Sequence, residues 1–149
     1  LSREIKKLFE ELAKLLIIDA EGATKLIRVN VHNAINKNQA KEVAFTVALS
    51  PLVKTAMFGN DANWGRILAA IGRCKSIEDI SKTSIKINHI PMVNKGSKSK
   101  KHSEKEASKA VRKKNITIDI DLGLGKRTHT VNTSDFSEDY VLINSEYRS

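Results

Sequence analysis

The sequence has little cysteine, few aromatic residues and no long apolar run, and each scarcity excludes a class of protein. Its one cysteine, Cys74, excludes an internal disulfide and a multi-cysteine zinc site, and it favours a reducing compartment. Aromatic residues make up 5% of the chain, so a packed core has to be mainly aliphatic. The longest apolar runs, 15–18 and 67–71, are too short to cross a bilayer, which excludes a membrane-spanning protein.

The length and the start of the chain define what kind of polypeptide is expected. Leu, Ile, Val and Phe contribute 41 of the 149 residues, which exceeds the composition of disordered chains and predicts a packed core. Residues 1–149 are expected to form a single domain without a long linker or an internal repeat. The chain opens on Leu1 without an initiator methionine or an apolar secretory segment, which indicates a processed chain or a piece of a longer one.

Positive charge is plentiful but concentrated in one stretch. The chain has 26 basic and 17 acidic residues, a net charge of +9, which raises the hypothesis of a nucleic-acid partner. Residues 95–114 carry nine basic and two acidic side chains, a net charge of +7, so the other 129 residues carry only +2. Because no aromatic residue lies in that stretch to stack on bases, a solvated basic loop and helix over 95–114 is favoured, and a nucleic-acid partner is not expected.

The spacing of apolar residues predicts a mixture of helices and strands. Helical spacing predicts a helix over 2–16, which Asp19 to Gly22 ends. Residues expected to begin or cap further helices are Asn38, Ser50 with Pro51, Asn63 and Ser103. Runs expected to form strands are 27–31, 85–87 (ended near Pro91), 115–122, 128–133 and Tyr140–Ile143. The mixture predicts an α+β fold with layered mixed sheets flanked by helices.

No standard catalytic motif is present. The histidines, which are isolated and lack metal-ligand spacing, are His32, His89, His102 and His129. Gly123-Leu124-Gly125 lacks the third glycine of a dinucleotide loop. We therefore expect neither a metal nor a cofactor. Cys74 has two cationic neighbours that can lower its pKa, but without a histidine close to it in sequence a structural thiol is favoured.

Two polar stretches remain as candidate binding segments. Residues 19–25 lie between a helix and a strand, and small residues there leave room beside Glu21, which can accept hydrogen bonds from a ligand ammonium. An ordinary acidic turn explains the same residues. Residues 58–66 surround the single tryptophan with Gly, Asn, Asp and Arg. Turn formation and helix capping explain most of them, and the wall of a polar cleft is the alternative.

Four motifs in one order resemble a known enzyme family. They are Glu21–Lys25, Ser50–Ala56, Gly59–Ile67 and Asp139–Tyr147. Together they are similar to the bifunctional ornithine acetyltransferase (glutamate N-acetyltransferase) family, from about Leu12 to the last residue. The part of the family that the chain resembles is the C-terminal portion of the beta chain.

The resemblance implies a reaction and a division of labour between two chains. Members of the family transfer an acetyl group from N-acetylornithine to glutamate in arginine biosynthesis, and some also use acetyl-CoA as a donor. Their precursor cleaves itself before a threonine, and that N-terminal threonine is the nucleophile that carries the acetyl group. The threonine and the alpha chain are expected outside this sequence, so no catalytic residue is expected within it, and the chain alone is expected to be inactive.

The resemblance also implies three substrate-binding residues and a set of partners. Glu21 matches the family's binding glutamate, Asn144 matches its asparagine near the C-terminus, and Ser149 stands where the family has a binding threonine. The implied partner is the alpha chain of the same precursor, in an alpha2-beta2 heterotetramer in the cytoplasm or the mitochondrial matrix. Two alternatives are a non-catalytic binding or scaffold module of the same fold, and a nucleic-acid binder that uses residues 95–114.

Overall fold

The computed structural model describes residues 2–101 and 103–146. Within them the helices are α1 (Arg3–Ile18), α2 (Lys37–Ala48), α3 (Pro51–Phe58), α4 (Trp64–Gly72), α5 (Glu104–Val111) and α6 (Glu138–Glu146). The strands are β1 (Leu26–Ala34), β2 (Ser84–Ile87), β3 (Ile90–Asn94), β4 (Ser97–Lys98), β5 (Asn115–Asp121) and β6 (Arg127–Ser134). The expected α+β class is confirmed, and the strands of this part of the chain join in one mixed sheet flanked by helices.

The sheet has the strand order β4-β3-β2-β5-β1-β6. Two neighbouring inner strands, β1 and β5, run parallel, and every other neighbouring pair runs antiparallel. Because side chains alternate between the two faces of a strand, this register places the buried Ile and Val residues of β1 and β5 on one face. Asn30, Asp119 and other polar residues lie on the opposite face.

The apolar face of the sheet forms the core with four helices. The buried cluster of the described residues draws on β1, β2, β3 and β5 and on α2 to α5. It is almost entirely aliphatic, as the scarcity of aromatic residues predicts, and Trp64 packs against it while only partly buried. In α2, Ala40, Val43, Ala44 and Val47 face this core. The buried alanines are small, so they add little bulk between helix and sheet.

Short polar side chains cap the starts of most helices. The N-cap side chains of Ser50, Asn63 and Ser103 each accept a hydrogen bond from the backbone N–H three residues later, as their sequence positions predict. The second helix begins one residue earlier than expected, and Asn36 rather than Asn38 caps it. Both asparagines are suitable caps. The Asn36 side chain accepts a hydrogen bond from the Gln39 N–H, and the Gln39 side chain in turn accepts one from the Ile35 N–H.

The strand predicted over Tyr140–Ile143 is wrong, because these residues lie in α6. The hydroxyl of Ser137 accepts a hydrogen bond from the Tyr140 N–H at 3.1 Å, which caps the first turn of a helix. Glu138 and Asp139 place negative charge in that turn, where the helix dipole favours it. A run of four apolar residues fits either a short strand or a helix, so the cap decided the outcome.

Pro91 does not end a strand as predicted but lies inside β3. The strand before it, β2, ends at Ile87, and Asn88 and His89 form the turn with φ angles of 45° and 70°. Such a turn joins two antiparallel strands directly. The pairing of β2 with β3 is irregular between Ile85 and Lys86, and Lys86 pairs with Pro91. Proline has no N–H to donate to a neighbouring strand, so an irregular pairing is expected beside it.

Two helices leave apolar residues open to solvent. In α1 these residues are between 45% and 76% exposed, and they are Ile5, Leu8, Phe9, Leu12, Leu15, Leu16 and Ile18. In α6 they are Tyr140, Val141, Leu142 and Ile143. An apolar surface of this size usually marks an interface. Among the described residues, no helix combines the length and the apolar character needed to cross a membrane.

Cys74 lies in the core and not in a reactive setting. Its side chain is 3% exposed, and its Sγ lies 3.8 Å from the carbonyl oxygen of Ala70. Burial raises the pKa of the thiol, although nearby Arg73 acts in the opposite direction. The structure therefore favours the structural thiol over a thiol activated by its cationic neighbours.

Replacing Ile118 by alanine should destabilise the protein strongly. Ile118 is fully buried between Val29 and Ile87 at the centre of the sheet. We expect Ile118→Ala to lower the free energy of unfolding by about 2–5 kcal/mol, measured by urea denaturation. Thr117→Ala, on the adjacent residue whose side chain faces the other side of the sheet, is the control and should cost less than about 1.5 kcal/mol. Equal losses for the two variants would contradict this description of the core.

Alkylation should report the burial of Cys74. Because a raised pKa reduces the thiolate fraction at neutral pH and burial blocks access, iodoacetamide should modify the native protein at least about tenfold more slowly than the urea-unfolded protein. Intact-mass measurement over time gives both rates. A native rate equal to the unfolded rate would show that the thiol is accessible and reactive.

Candidate functional site

The register between β1 and β6 brings two distant segments of the chain together. Leu26, the first residue of β1, pairs with Ser134, the last residue of β6. Because the strands are antiparallel, the turn before β1 and the connection after β6 emerge from the sheet side by side. The former carries Glu21, and the latter leads into α6, which carries Asn144. The candidate site lies at this junction.

Glu21 lies in the turn between α1 and β1, and its side chain is exposed. The next residue, Gly22, has a φ of +68°, and a Cβ built on it would lie 2.4 Å from the backbone nitrogen of Tyr140. Only glycine permits both this φ and this approach. The Glu21 turn therefore packs directly against the first turn of α6.

Asn144 lies on α6 one helical turn after Tyr140, and its Nδ2 donates to the carbonyl oxygen of Tyr140 at 2.8 Å. Its side chain is exposed, and its amide oxygen takes no part in that bond. The structure thus brings the Glu21 turn and the helix of Asn144 into contact. The third implied binding residue, Ser149, lies outside the described residues.

A buried carboxylate organises the other end of the Glu21 turn. Asp135 is 4% exposed, and its Oδ1 accepts hydrogen bonds from the backbone N–H groups of Thr24, at 2.8 Å, and of Lys25, at 3.0 Å. Its Oδ2 accepts a hydrogen bond from the Thr24 hydroxyl. We did not identify Asp135 from the sequence, and no local pattern marks it, because its partners lie 110 and 111 residues away along the chain.

Lys25 ties this junction to two helix ends. Its Nζ donates to the carbonyl oxygen of Met57, to Asn60 Oδ1 at 2.7 Å and to the carbonyl oxygen of Val111 at 2.8 Å. Burial lowers the pKa of the ammonium, and the charge of Asp135 opposes that shift. A cation beside the C-terminal carbonyls of α3 and α5 is favourable because these carbonyls carry partial negative charge. All three of its donors are used within the fold, so Lys25 is a structural residue here.

The stretch from residue 58 to residue 66 serves turns and caps. Asn63 caps α4, and Asn60, with a φ of 57°, turns the chain and accepts from Lys25. The guanidinium of Arg66 donates to the carbonyl oxygen of Leu52 at 2.9 Å and to the Thr55 hydroxyl at 3.3 Å. These bonds favour the turn-and-cap interpretation over the wall of a polar cleft.

A cleft of about 330 Å³ opens beside the junction. Its lining residues are Ile18, Ala23, Thr24, Lys25, Leu26, Lys114 and Asn115. Neither Glu21 nor Asn144 lines it. The cleft is therefore a neighbour of the candidate site.

The remaining polar groups of the sequence analysis lie elsewhere. The Nε2 of His32 is 3.6 Å from Asp119 Oδ1 on the open face of the sheet, and the His129 ring lies 6.0 Å from the Phe45 ring. His102 lies outside the described residues, and within those residues no group of His, Cys, Asp and Glu side chains is arranged to hold a metal ion. The described lysines of 95–114 are exposed, and Lys98 pairs with Glu104 at 2.9 Å. Their exposure fits the solvated basic loop and helix that the sequence favours.

Comparison with known proteins identifies relatives over nearly the whole chain. The ArgJ family model matches residues 1–149. The arginine biosynthesis bifunctional protein ArgJ of Methylococcus capsulatus is 45% identical over 141 residues, which are 93% of this chain and 34% of that protein. The protein of the same name from Pseudomonas fluorescens is 40% identical over 140 residues, 93% of this chain and 35% of that protein. The chain thus spans about a third of the length of these curated relatives.

A solved structure agrees with the sequence comparison. The crystal structure of the arginine biosynthesis bifunctional protein ArgJ from Bacillus halodurans superposes with a TM-score of 0.92 at 37% identity. The match covers 97% of this chain and 68% of that chain. The three comparisons and the four motifs agree, and the chain belongs to the ArgJ family.

Proposed function

We propose that this chain is the C-terminal part of the beta chain of an enzyme that transfers an acetyl group from N-acetylornithine to glutamate. Within that enzyme it supplies substrate-binding residues. The observation that carries the proposal is the packing of the Glu21 turn on α6, the helix of Asn144, in a member of the ArgJ family. This packing supports the proposal, because the two residues that the resemblance implies separately lie on contacting elements.

The proposed chemistry divides between residues outside and inside this chain. A threonine outside it attacks the acetyl carbonyl, the ornithine amine leaves, and the glutamate amine then takes the acetyl group from the threonine ester. Some enzymes of this kind also accept the acetyl group from acetyl-CoA, and that donor remains part of the proposal. No residue of this chain takes part in bond making.

The residues of this chain are proposed to hold the amino-acid substrate. N-acetylornithine keeps a free side-chain ammonium, and the exposed carboxylate of Glu21 can accept a charge-assisted hydrogen bond from it. The amide of Asn144 offers a donor and an acceptor to the substrate's polar groups. Ser149 is proposed to add a hydroxyl contact.

The open apolar face of α1 supports a partner surface. Its exposed leucines repeat at helical spacing, while charged residues such as Lys7 and Glu11 occupy the other side of the helix. Because the chain spans only about a third of its curated relatives, we propose that the rest of the family fold, including the alpha chain, covers this face. An alpha2-beta2 heterotetramer in the cytoplasm or the mitochondrial matrix completes the proposal.

Removing the Glu21 carboxylate should impair the assembled two-chain enzyme. We expect Glu21→Ala to raise KM for N-acetylornithine, or to lower kcat, by at least about tenfold, because one charge-assisted contact is worth roughly 1.5–3 kcal/mol. Steady-state acetyl transfer to glutamate is the measurement, and Glu78→Ala, on an exposed carboxylate distant in sequence, is the control. Unchanged kinetics in a folded Glu21→Ala enzyme would remove this assignment and favour a non-catalytic module of the same fold.

Polar residues on the apolar face of α1 should weaken assembly. The double variant Leu8→Ser with Leu12→Ser should lower the melting temperature of the assembled enzyme and reduce the amount of alpha chain that co-purifies, because each buried leucine contributes roughly 2 kcal/mol or more. Lys7→Ser, on the charged side, is the matched control. If the double variant assembles and melts like the control, α1 does not dock through this face.

A further inference from the structure

The three-residue connection between β6 and α6 contacts the Glu21 turn at two points, both of which follow Glu21 in the chain. On the side of β1, the carboxylate of Asp135 accepts hydrogen bonds from Thr24 and Lys25. Directly after Glu21, the hydroxyl of Ser137 donates to the carbonyl oxygen of Gly22. A short segment therefore holds the part of the loop that runs from Glu21 to the start of β1.

Ser137 also holds the helix of Asn144. Its hydroxyl, which is part of a residue only 3% exposed, accepts the Tyr140 N–H at 3.1 Å while it donates to Gly22. A hydroxyl is the small side-chain group that can donate and accept at the same time. One oxygen atom thus joins the backbone next to Glu21 to the first turn of α6.

The orientation of α6 depends on this N-terminal connection. None of its nine residues is buried in the described structure. Its aromatic contact is made by Tyr140, whose ring meets the Phe136 ring edge-on with the centroids 4.5 Å apart. Phe136 lies in the connection, and its backbone N–H donates to the carbonyl oxygen of Lys54 at 3.4 Å. The anchor of the helix is therefore the connection itself, not a packed face along its length.

We propose that Asp135 and Ser137 are positioning residues: they hold the Glu21 turn and α6 in one arrangement, so that Glu21 and Asn144 meet the amino-acid substrate together. The inference rests on the proposed function and assigns the two residues no contact with the substrate. Asp135 holds the loop at the start of β1, and Ser137 holds it against the first turn of α6. A binding pair that is held before the substrate arrives loses less entropy on binding, which raises affinity.

The test uses the assembled two-chain enzyme and separates KM from kcat. We expect Ser137→Ala to raise KM for N-acetylornithine about tenfold while kcat at saturation changes less than about twofold, because the reacting groups are untouched. Ser137→Thr keeps the hydroxyl and should restore most of the wild-type KM. Ser134→Ala, on the half-buried serine three residues earlier in β6, is the matched control and should leave KM unchanged.

A second pair of variants tests the other end of the connection. Asp135→Ala removes both oxygens and should raise KM, whereas Asp135→Asn keeps an oxygen for the two backbone N–H groups and should raise it less. The thermal unfolding curve of each enzyme, measured alongside, gives the fraction that is folded at the assay temperature. This pair decides the outcome if Ser137→Ala fails to fold.

The outcomes distinguish the inference from the function on which it rests. If Glu21→Ala raises KM and the folded Ser137→Ala and Asp135→Ala enzymes keep the wild-type KM, the positioning role is wrong and the binding assignment stands. If activity falls only in proportion to the folded fraction, with KM constant, the two residues are merely structural. If Ser137→Thr fails to recover KM although it folds, the shared hydroxyl is not the positioning element. If Glu21→Ala itself leaves KM and kcat unchanged, the proposed function fails first.

Discussion

The parallel pairing of β1 with β5 is the constraint on which the rest of the structure depends. Seven consecutive residue pairs join these strands, from Leu26 with Asn115 to His32 with Asp121. Their buried Ile and Val side chains form the apolar face of the sheet, and the helices pack on this face. Parallel strands need a long connection between them, and here the polypeptide from α2 to α5 supplies it and covers the apolar face on the way.

The same strand β1 positions the candidate site through its other neighbour. Antiparallel pairing with β6 places the residue before β1 beside the residue after β6, and the backbone N–H of Asp135 donates to the carbonyl oxygen of Lys25 at 3.3 Å. The Asp135 carboxylate is consequently buried against backbone donors. Burial of a carboxylate is costly unless hydrogen bonds compensate, and here three donors do so.

Local sequence signals predicted much of the fold because they report local physics. Alternating residues in 115–122 predicted β5, and Ser50-Pro51 predicted the start of α3, since both depend on neighbours within a few positions. The prediction failed at Tyr140–Ile143, where the apolar run suits either a strand or a helix. The Ser137 cap settled that choice in favour of α6. Turn formation and capping were expected within 58–66, but the use of Asn60 as an acceptor for Lys25 was not.

The sequence by itself determined the α+β class, the aliphatic core, three helix caps and, through four motifs, the family and Glu21 and Asn144 as candidate residues. Only the tertiary structure decided that the Glu21 turn and the helix of Asn144 are in contact, and that Asp135, Ser137 and Lys25 organise their junction. The reason is distance along the chain. Caps and periodicity act over three or four residues, whereas the bonds of Asp135 and Ser137 span 110 to 115 positions and exist only once β1 has paired with β6.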